Sequence, residues 1–223
     1  VEATAVEATP HSFTVAEFMS LDTERRTELL DGVVFDVSPH LEPHRYAVRR
    51  LTEVLVHAFF GTDLVVRVQD AIAVPGWDGH DAPETDVAVL RRKEFHPGPT
   101  SADAVACIEV SDLTYGGTYG DRHYKIPLYV NAGVPAWIVN IRLRQVEFYG
   151  LPSHLAVKHG HVFREGDTFD VLGVTIVVAE LFVNPDHTRP DAEGARGAIA
   201  NSIARASVSA EPSASRRASS GAA

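Results

Sequence analysis

The sequence predicts a single α/β domain with extensions at both ends. Three observations lead there. Apolar residues at 47, 48, 51, 54, 55, 58 and 59 recur at helical spacing. Two short runs, Asp86–Leu90 and Ala104–Val110, are almost wholly apolar, as in strands buried on both faces. The chain has 223 residues with an apolar share of 45%, enough for one packed core and too little for two large ones.

Element by element, residues 1–12 lack periodicity and read as a loose arm. Phe13–Met19 reads as a short helix with Thr14 as its cap, and a second short helix is expected near Asp22, with Glu24 and Arg25 in its first turn. Thr27–Val37 reads as two strands around Asp31-Gly32, a strong two-residue turn signal. A helix follows over Pro43–Phe60, stopped by Gly61. Leu64–Val68 and Ala71–Val74 are expected as separate strands, Gly76–Pro83 as a polar loop, and the two apolar runs as strands. Gly120–Asn131 reads as a helix ended by Gly133. Pro127 removes the donor to the carbonyl of His123, so a kink or a late start is expected there. Ala136–Asn140 and Gln145–Tyr149 form a strand pair, hairpins fill 155–178, and Ala179–Phe182 is a last helical turn. From Asn184 the chain turns to Ala, Ser, Arg, Gly and Pro, a composition that cannot offset its ordering entropy. The expected division is an arm (1–12), a folded domain (13–183) and a disordered tail (184–223).

Composition excludes several classes. The single Cys107 rules out an intrachain disulfide framework and a thiolate zinc cluster, and reads as inert core. No apolar run reaches the ~18 residues of a membrane span, and no secretory pattern is visible, so a cytoplasmic protein is expected. The formal charge of −10 argues against a broadly basic coat for nucleic acid. That charge is uneven: the tail carries +1 and residues 13–183 carry −9.

Two acids stand out against the pattern. Glu109 interrupts the apolar run Val105-Ala106-Cys107-Ile108-Glu109-Val110. Inside a sheet, an ionised carboxylate is costly unless it is paired or holds a metal; on an edge strand it would simply face water. Asp86 poses the same question at the start of its strand. If the two strands are neighbours, the carboxylates repel unless a cation lies between them, and oxygen donors suit Mg²⁺ or Mn²⁺. Asp121, Lys125 and Tyr129 fall at i, i+4 and i+8 on one helix face, with Asp121 at the N-cap position. Lys125 is one of three lysines, and a lysine can act on a water molecule where arginine cannot. A solvated ion pair with Asp121 is the plainer alternative.

In order and spacing, Glu28-Leu29-Leu30-Asp31-Gly32, Ser38-Pro39, His44 at a helix start, Asp86-Val87-Ala88-Val89, Ile108-Glu109-Val110-Ser111, Asp121–Tyr129 and Ala132–Val139 resemble the Uma-two family, within the PD-(D/E)XK nuclease superfamily. The resemblance covers 13–183. It implies a restriction-endonuclease-like core: a mixed central β-sheet flanked by helices, here with an extra N-terminal strand pair and C-terminal hairpins. It implies Asp86 and Glu109, with the carbonyl of Val110, as ligands of Mg²⁺ or Mn²⁺. Lys125 would act on the attacking water, and Glu28 would be an additional catalytic acid. His44, Arg49 and Asp121 would contact substrate. Two departures are Thr85 before Asp86, where the family usually has Pro, and a longer, Gly-rich loop over 112–120. The position two after Glu109, where the superfamily often has its Lys, is Ser111.

The expected function is metal-dependent hydrolysis of phosphodiester bonds in DNA. A non-catalytic nucleic-acid-binding or regulatory protein on the same fold is the alternative. Its local positives are Arg45-Arg49-Arg50, Arg91-Arg92-Lys93 and Arg142-Arg144. A third reading is an oligomerising domain, a homodimer, with Trp137 and strand 136–140 at its edge. Weaker features are His154, His159 and His161 near a hairpin turn, of which the His159-x-His161 pair is either a candidate for zinc, without a thiol or an evident third ligand, or an exposed hairpin, and the acidic loop Trp77–Asp81, which either closes over substrate or is only a turn.

Overall fold

Six strands and two helices place the residues of interest at one end of a sheet. The computed structural model describes residues 11–22, 24–112, 118–150 and 161–182. In chain order these hold α1 (Val15–Met19), β1 (Thr27–Leu30), β2 (Val33–Asp36), α2 (Glu42–Phe59), β3 (Leu64–Ala71), β4 (Glu84–Arg91), β5 (Ala104–Ser111), a π-turn (Asp121–Lys125), α3 (Ile126–Asn131), β6 (Ala136–Asn140), β7 (Gln145–Tyr149), β8 (His161–Arg164), β9 (Thr168–Val171), β10 (Val174–Val177) and a 3₁₀ turn (Val178–Leu181). The central sheet runs β3-β4-β5-β6-β7-β8. It is mixed, because β5 and β6 are parallel while the other neighbours are antiparallel.

Alternation along the strands divides the core into two layers. Val87 and Val89 of β4, with Ala106, Ile108 and Val110 of β5, pack under α2 and the β9–β10 hairpin. Ala88 and Leu90, with Cys107, face the opposite side and pack under Ile126, Tyr129 and Val130 of α3. Glu109 shares the parity of Cys107, and Asp86 that of Ala88. Both carboxylates therefore belong to the α3 side.

The strand pair β1–β2 turns on Asp31 and Gly32, with φ of 53° and 73°. The left-handed φ of Gly32 favours glycine, and a Cβ there would also displace the Ser12 hydroxyl. Thr14 closes a capping box with Glu17 at the start of α1. Pro127 has a larger effect than a kink. The carbonyl of His123 has no amide donor four residues on, and the chain widens so that the Ile126 N–H reaches Asp121 O, five residues back. Regular α-helix starts at Ile126.

Three expectations change, and one of two alternatives for a loop is selected. No second helix forms near Asp22: Glu24 and Arg25 lie in a bend, and the chain enters β1 directly (Thr23 is outside the described residues). Leu64–Ala71 is one strand rather than two, because it stays in register with β4 on both sides of Gln69, which takes φ of 50°. Strand 136–140 is no dimer edge. As β6 it is paired on both sides, and Trp137 is buried against Phe148 with ring centroids 4.8 Å apart. The loop Trp77–Asp81 is a fastened turn: the Gly79 and His80 carbonyls accept from Val15 and Gly32 N–H, and Asp81 accepts from the Tyr124 hydroxyl. His154, His159 and most of the loop after Asp112 lie outside the described residues, while His161 is exposed on β8. No described helix is long and apolar enough to cross a membrane.

Candidate active site

The register of β4 and β5 pairs Val87 with Ile108 and Ala88 with Cys107. Asp86 and Glu109 follow at the end of that ladder, close enough for the Asp86 charge to act on Glu109. The interior place of β5 removes the edge-strand alternative: Glu109 is 1% exposed. The Val110 N–H donates to Asp86 Oδ2 at 2.8 Å, locking the two strand ends together.

Lys125 approaches from the π-turn and is 8% exposed, so the solvated ion pair is also set aside. Its Nζ lies 2.8 Å from Glu28 Oε2, 3.8 Å from Glu109 Oε2 and 4.0 Å from Asp121 Oδ1, and donates to the Glu84 carbonyl at 3.1 Å. The widened turn thus delivers Asp121 and Lys125 to the same place. Glu28 arrives from β1, where it accepts from the Glu84 N–H. His44, in the first turn of α2, contacts Asp86 Oδ2 through Nε2 at 3.2 Å.

These groups line a cavity of about 210 Å³. It brings together Glu28, His44, Asp86, Glu109, Val110, Asp121 and Lys125. It does not include Arg49. That side chain lies further along α2, is half exposed, reaches Glu42 at 3.7 Å and stacks on Tyr46. Arg49 instead lines a separate groove with Phe60 and Val68. Two residues are additions to the sequence reading. Tyr129, expected only to share a face with Lys125, donates its hydroxyl to Glu109 Oε1 at 2.6 Å and meets the Thr85 hydroxyl at 2.7 Å. His40 stacks on His44, with ring centroids 3.7 Å apart and an interplanar angle of 3°. The i+4 offset of Tyr129 from Lys125 was a usable signal; His40 had none beyond its proximity to His44.

The electrostatics follow from crowding. Burial pushes the Glu109 carboxyl well above the ordinary carboxylate range; Lys125 pulls it down, while Asp86 and Asp121 push it further up. Burial also works against ionised Asp86, but the His44 contact, the Val110 N–H and Lys125 outweigh it and leave its pKa below the ordinary value. Burial disfavours the Lys125 ammonium, yet Glu109, Glu28 and Asp121 together raise its pKa above that of a free lysine. Burial and the Glu109 carboxylate push the Tyr129 hydroxyl well up, so it remains a donor.

Seven acidic side chains line the cavity, and among them Asp36 pairs with Arg25, Glu84 with Arg26 and Glu28 with Lys125. Asp86 and Glu109 remain as hard oxygen donors of the kind that could hold a divalent cation.

The sequence profile of a family described as "Uma2: Putative restriction endonuclease" matches residues 15–178. The chain belongs to the Uma2 family. Its fold is similar to that of a solved structure described as a putative nuclease belonging to DUF820 from Anabaena variabilis. The TM-score is 0.60 at 16% identity, over 76% of this chain and 97% of that one. No curated protein matches. The family's description supports a nuclease role.

Proposed function

We propose that this Uma2-family chain is a Mg²⁺- or Mn²⁺-dependent endonuclease that hydrolyses phosphodiester bonds in DNA, with residues 13–183 as the catalytic domain. The observation that carries this reading is the convergence of Asp86, Glu109 and Lys125, from β4, β5 and the π-turn, on one acidic cavity. Asp86 and Glu109, with the carbonyl of Val110, would hold the cation. A bound divalent ion supplies Lewis-acid polarisation of the phosphate and acidification of a water.

The protein groups do the rest. Lys125 is held charged by its carboxylates and orients the attacking water. It also faces the charge that develops on the phosphate oxygens. Glu28 fixes the Lys125 ammonium at 2.8 Å and stands ready to accept a proton from that water. Tyr129 holds Glu109 in place through its hydroxyl. Asp121 and His44 border the substrate side of the cavity. Surface cations are largely engaged elsewhere. Arg45 and Arg49 reach Glu42, Arg50 reaches Glu53 and Glu180, Lys93 reaches Asp103, and Arg144 reaches Glu165. DNA binding without a divalent ion is accordingly weak on this reading.

The test is Mg²⁺- or Mn²⁺-dependent cleavage of plasmid and single-stranded DNA by wild type, Asp86→Ala, Glu109→Ala and Lys125→Ala. Cleavage by the wild type alone supports the assignment, and equal activity in all four removes it.

A further inference from the structure

The cavity has a nitrogen-bearing end that the oxygen-donor reading leaves unused. His40, His44 and Asp86 each offer one ligand atom, and the three atoms lie within 4.8 Å of one another. His44 is 4% exposed, and its contact to Asp86 uses Nε2. At 3.2 Å, His44 Nε2 and Asp86 Oδ2 stand as close as two ligands of one ion do, so a cation can take the place of their contact. His40 Nε2 is buried without a hydrogen-bond partner, on a ring stacked against His44. A buried nitrogen of that kind calls for a partner, and an electron-pair acceptor held between His40, His44 and Asp86 meets the need.

We infer that His40, His44 and Asp86 form a second cation position that takes a first-row transition dication such as Mn²⁺, Co²⁺ or Zn²⁺ in preference to Mg²⁺. Two imidazoles with one carboxylate are borderline donors, which these ions accept and which Mg²⁺, demanding oxygen and retaining its waters, does not. Asp86 then stands between this position and the one at Glu109, which couples the two. Three protein ligands leave coordination places open to water or to a phosphate oxygen. The inference rests on the reading of this cavity as a divalent-ion site and adds to it the identity of the preferred metal.

The test uses the full chain loaded with Mn²⁺ and examined by pulsed electron paramagnetic resonance for directly bound ¹⁴N. Co²⁺ and Mg²⁺ affinities are measured calorimetrically beside it. Wild type is expected to show ¹⁴N coupling. His40→Ala is expected to lose a large part of that coupling. Its Co²⁺ affinity should fall at least tenfold while its Mg²⁺ affinity stays within about twofold. His44→Ala should lose ¹⁴N coupling as well, while its Mg²⁺ affinity is free to change because His44 also contacts Asp86; circular dichroism confirms that both variants are folded. Absence of ¹⁴N coupling in wild type, or equal losses of Co²⁺ and Mg²⁺ affinity in His40→Ala, overturns the inference. The nuclease reading fails separately: ¹⁴N coupling without DNA cleavage in any metal would remove that reading and leave this one. Mg²⁺-dependent cleavage without ¹⁴N coupling would do the reverse.

Discussion

Replacing Lys125 with Met keeps the length of the side chain and removes the charge that holds three carboxylates together. In the native cluster Nζ lies 2.8 Å from Glu28, 3.8 Å from Glu109 and 4.0 Å from Asp121. At an effective dielectric of ~20, each such contact carries several kcal/mol of attraction before desolvation is charged against it. Removing one partner of a buried pair costs about 3–5 kcal/mol. Glu109 already favours its proton, which relieves part of the resulting repulsion. The net expectation for Lys125→Met without metal is therefore a loss of about 3 kcal/mol, or roughly 6–12 °C in Tm for a domain of this size. The same change should tighten divalent-ion binding by about tenfold or more, because a positive charge no longer opposes the ion. Cleavage should fall by about 10²–10⁴-fold even with the cation site full. Urea denaturation with and without saturating Mg²⁺, calorimetric Mg²⁺ titration and DNA cleavage measure the three effects. A variant within about 0.5 kcal/mol of wild type without metal, binding Mg²⁺ more weakly and cleaving normally, would refute the electrostatic reasoning.

Two further outcomes are expected. Tyr129→Phe deletes the hydroxyl that donates to Glu109 and leaves Thr85 without its contact, so it should cost about 1–3 kcal/mol in denaturant unfolding and lower kcat with little change in KM. Asp103 has its pKa depressed: burial works to raise it, but Lys93 and the Thr100 N–H and hydroxyl outweigh that. Its contribution is therefore present above the unfolded-state pKa of ~4 and lost as pH falls through the lower folded value. Asp103→Asn should destabilise the protein by about 1–2 kcal/mol at neutral pH, and the difference from wild type should shrink in denaturation curves taken at progressively more acid pH.

Much of the fold was legible because burial leaves marks. Strands β4 and β5 were visible as apolar runs, and α2 as a helical stripe. Asp86 and Glu109 were visible as violations of those runs, and strand parity does the rest, turning both carboxylates toward α3 once the two strands are neighbours. Pro127 announced trouble in its helix. That the outcome is a π-turn, and that the turn carries both Asp121 and Lys125 inward, depends on hydrogen bonding that no spacing rule contains. Arg49 was misplaced for a related reason. A helix of eighteen residues presents several faces: Arg45 and Arg49 line a groove separate from the cavity that His44 borders, and Arg50 pairs with Glu53 and Glu180. The separate strands expected on either side of Gln69 are one because register with β4 survives a single left-handed residue. His40 was invisible, since a loop histidine gains meaning only from what lies beside it in space.

The most direct measurement is Mg²⁺-dependent DNA cleavage by Glu109→Gln alongside wild type, with the Tm of each recorded without metal. The substitution is nearly isosteric, and it removes a buried charge whose ionisation burial already disfavours. The account predicts a folded variant, as stable as wild type or more so, with cleavage reduced by about a thousandfold or more. A folded Glu109→Gln that cleaves within tenfold of wild type would contradict it.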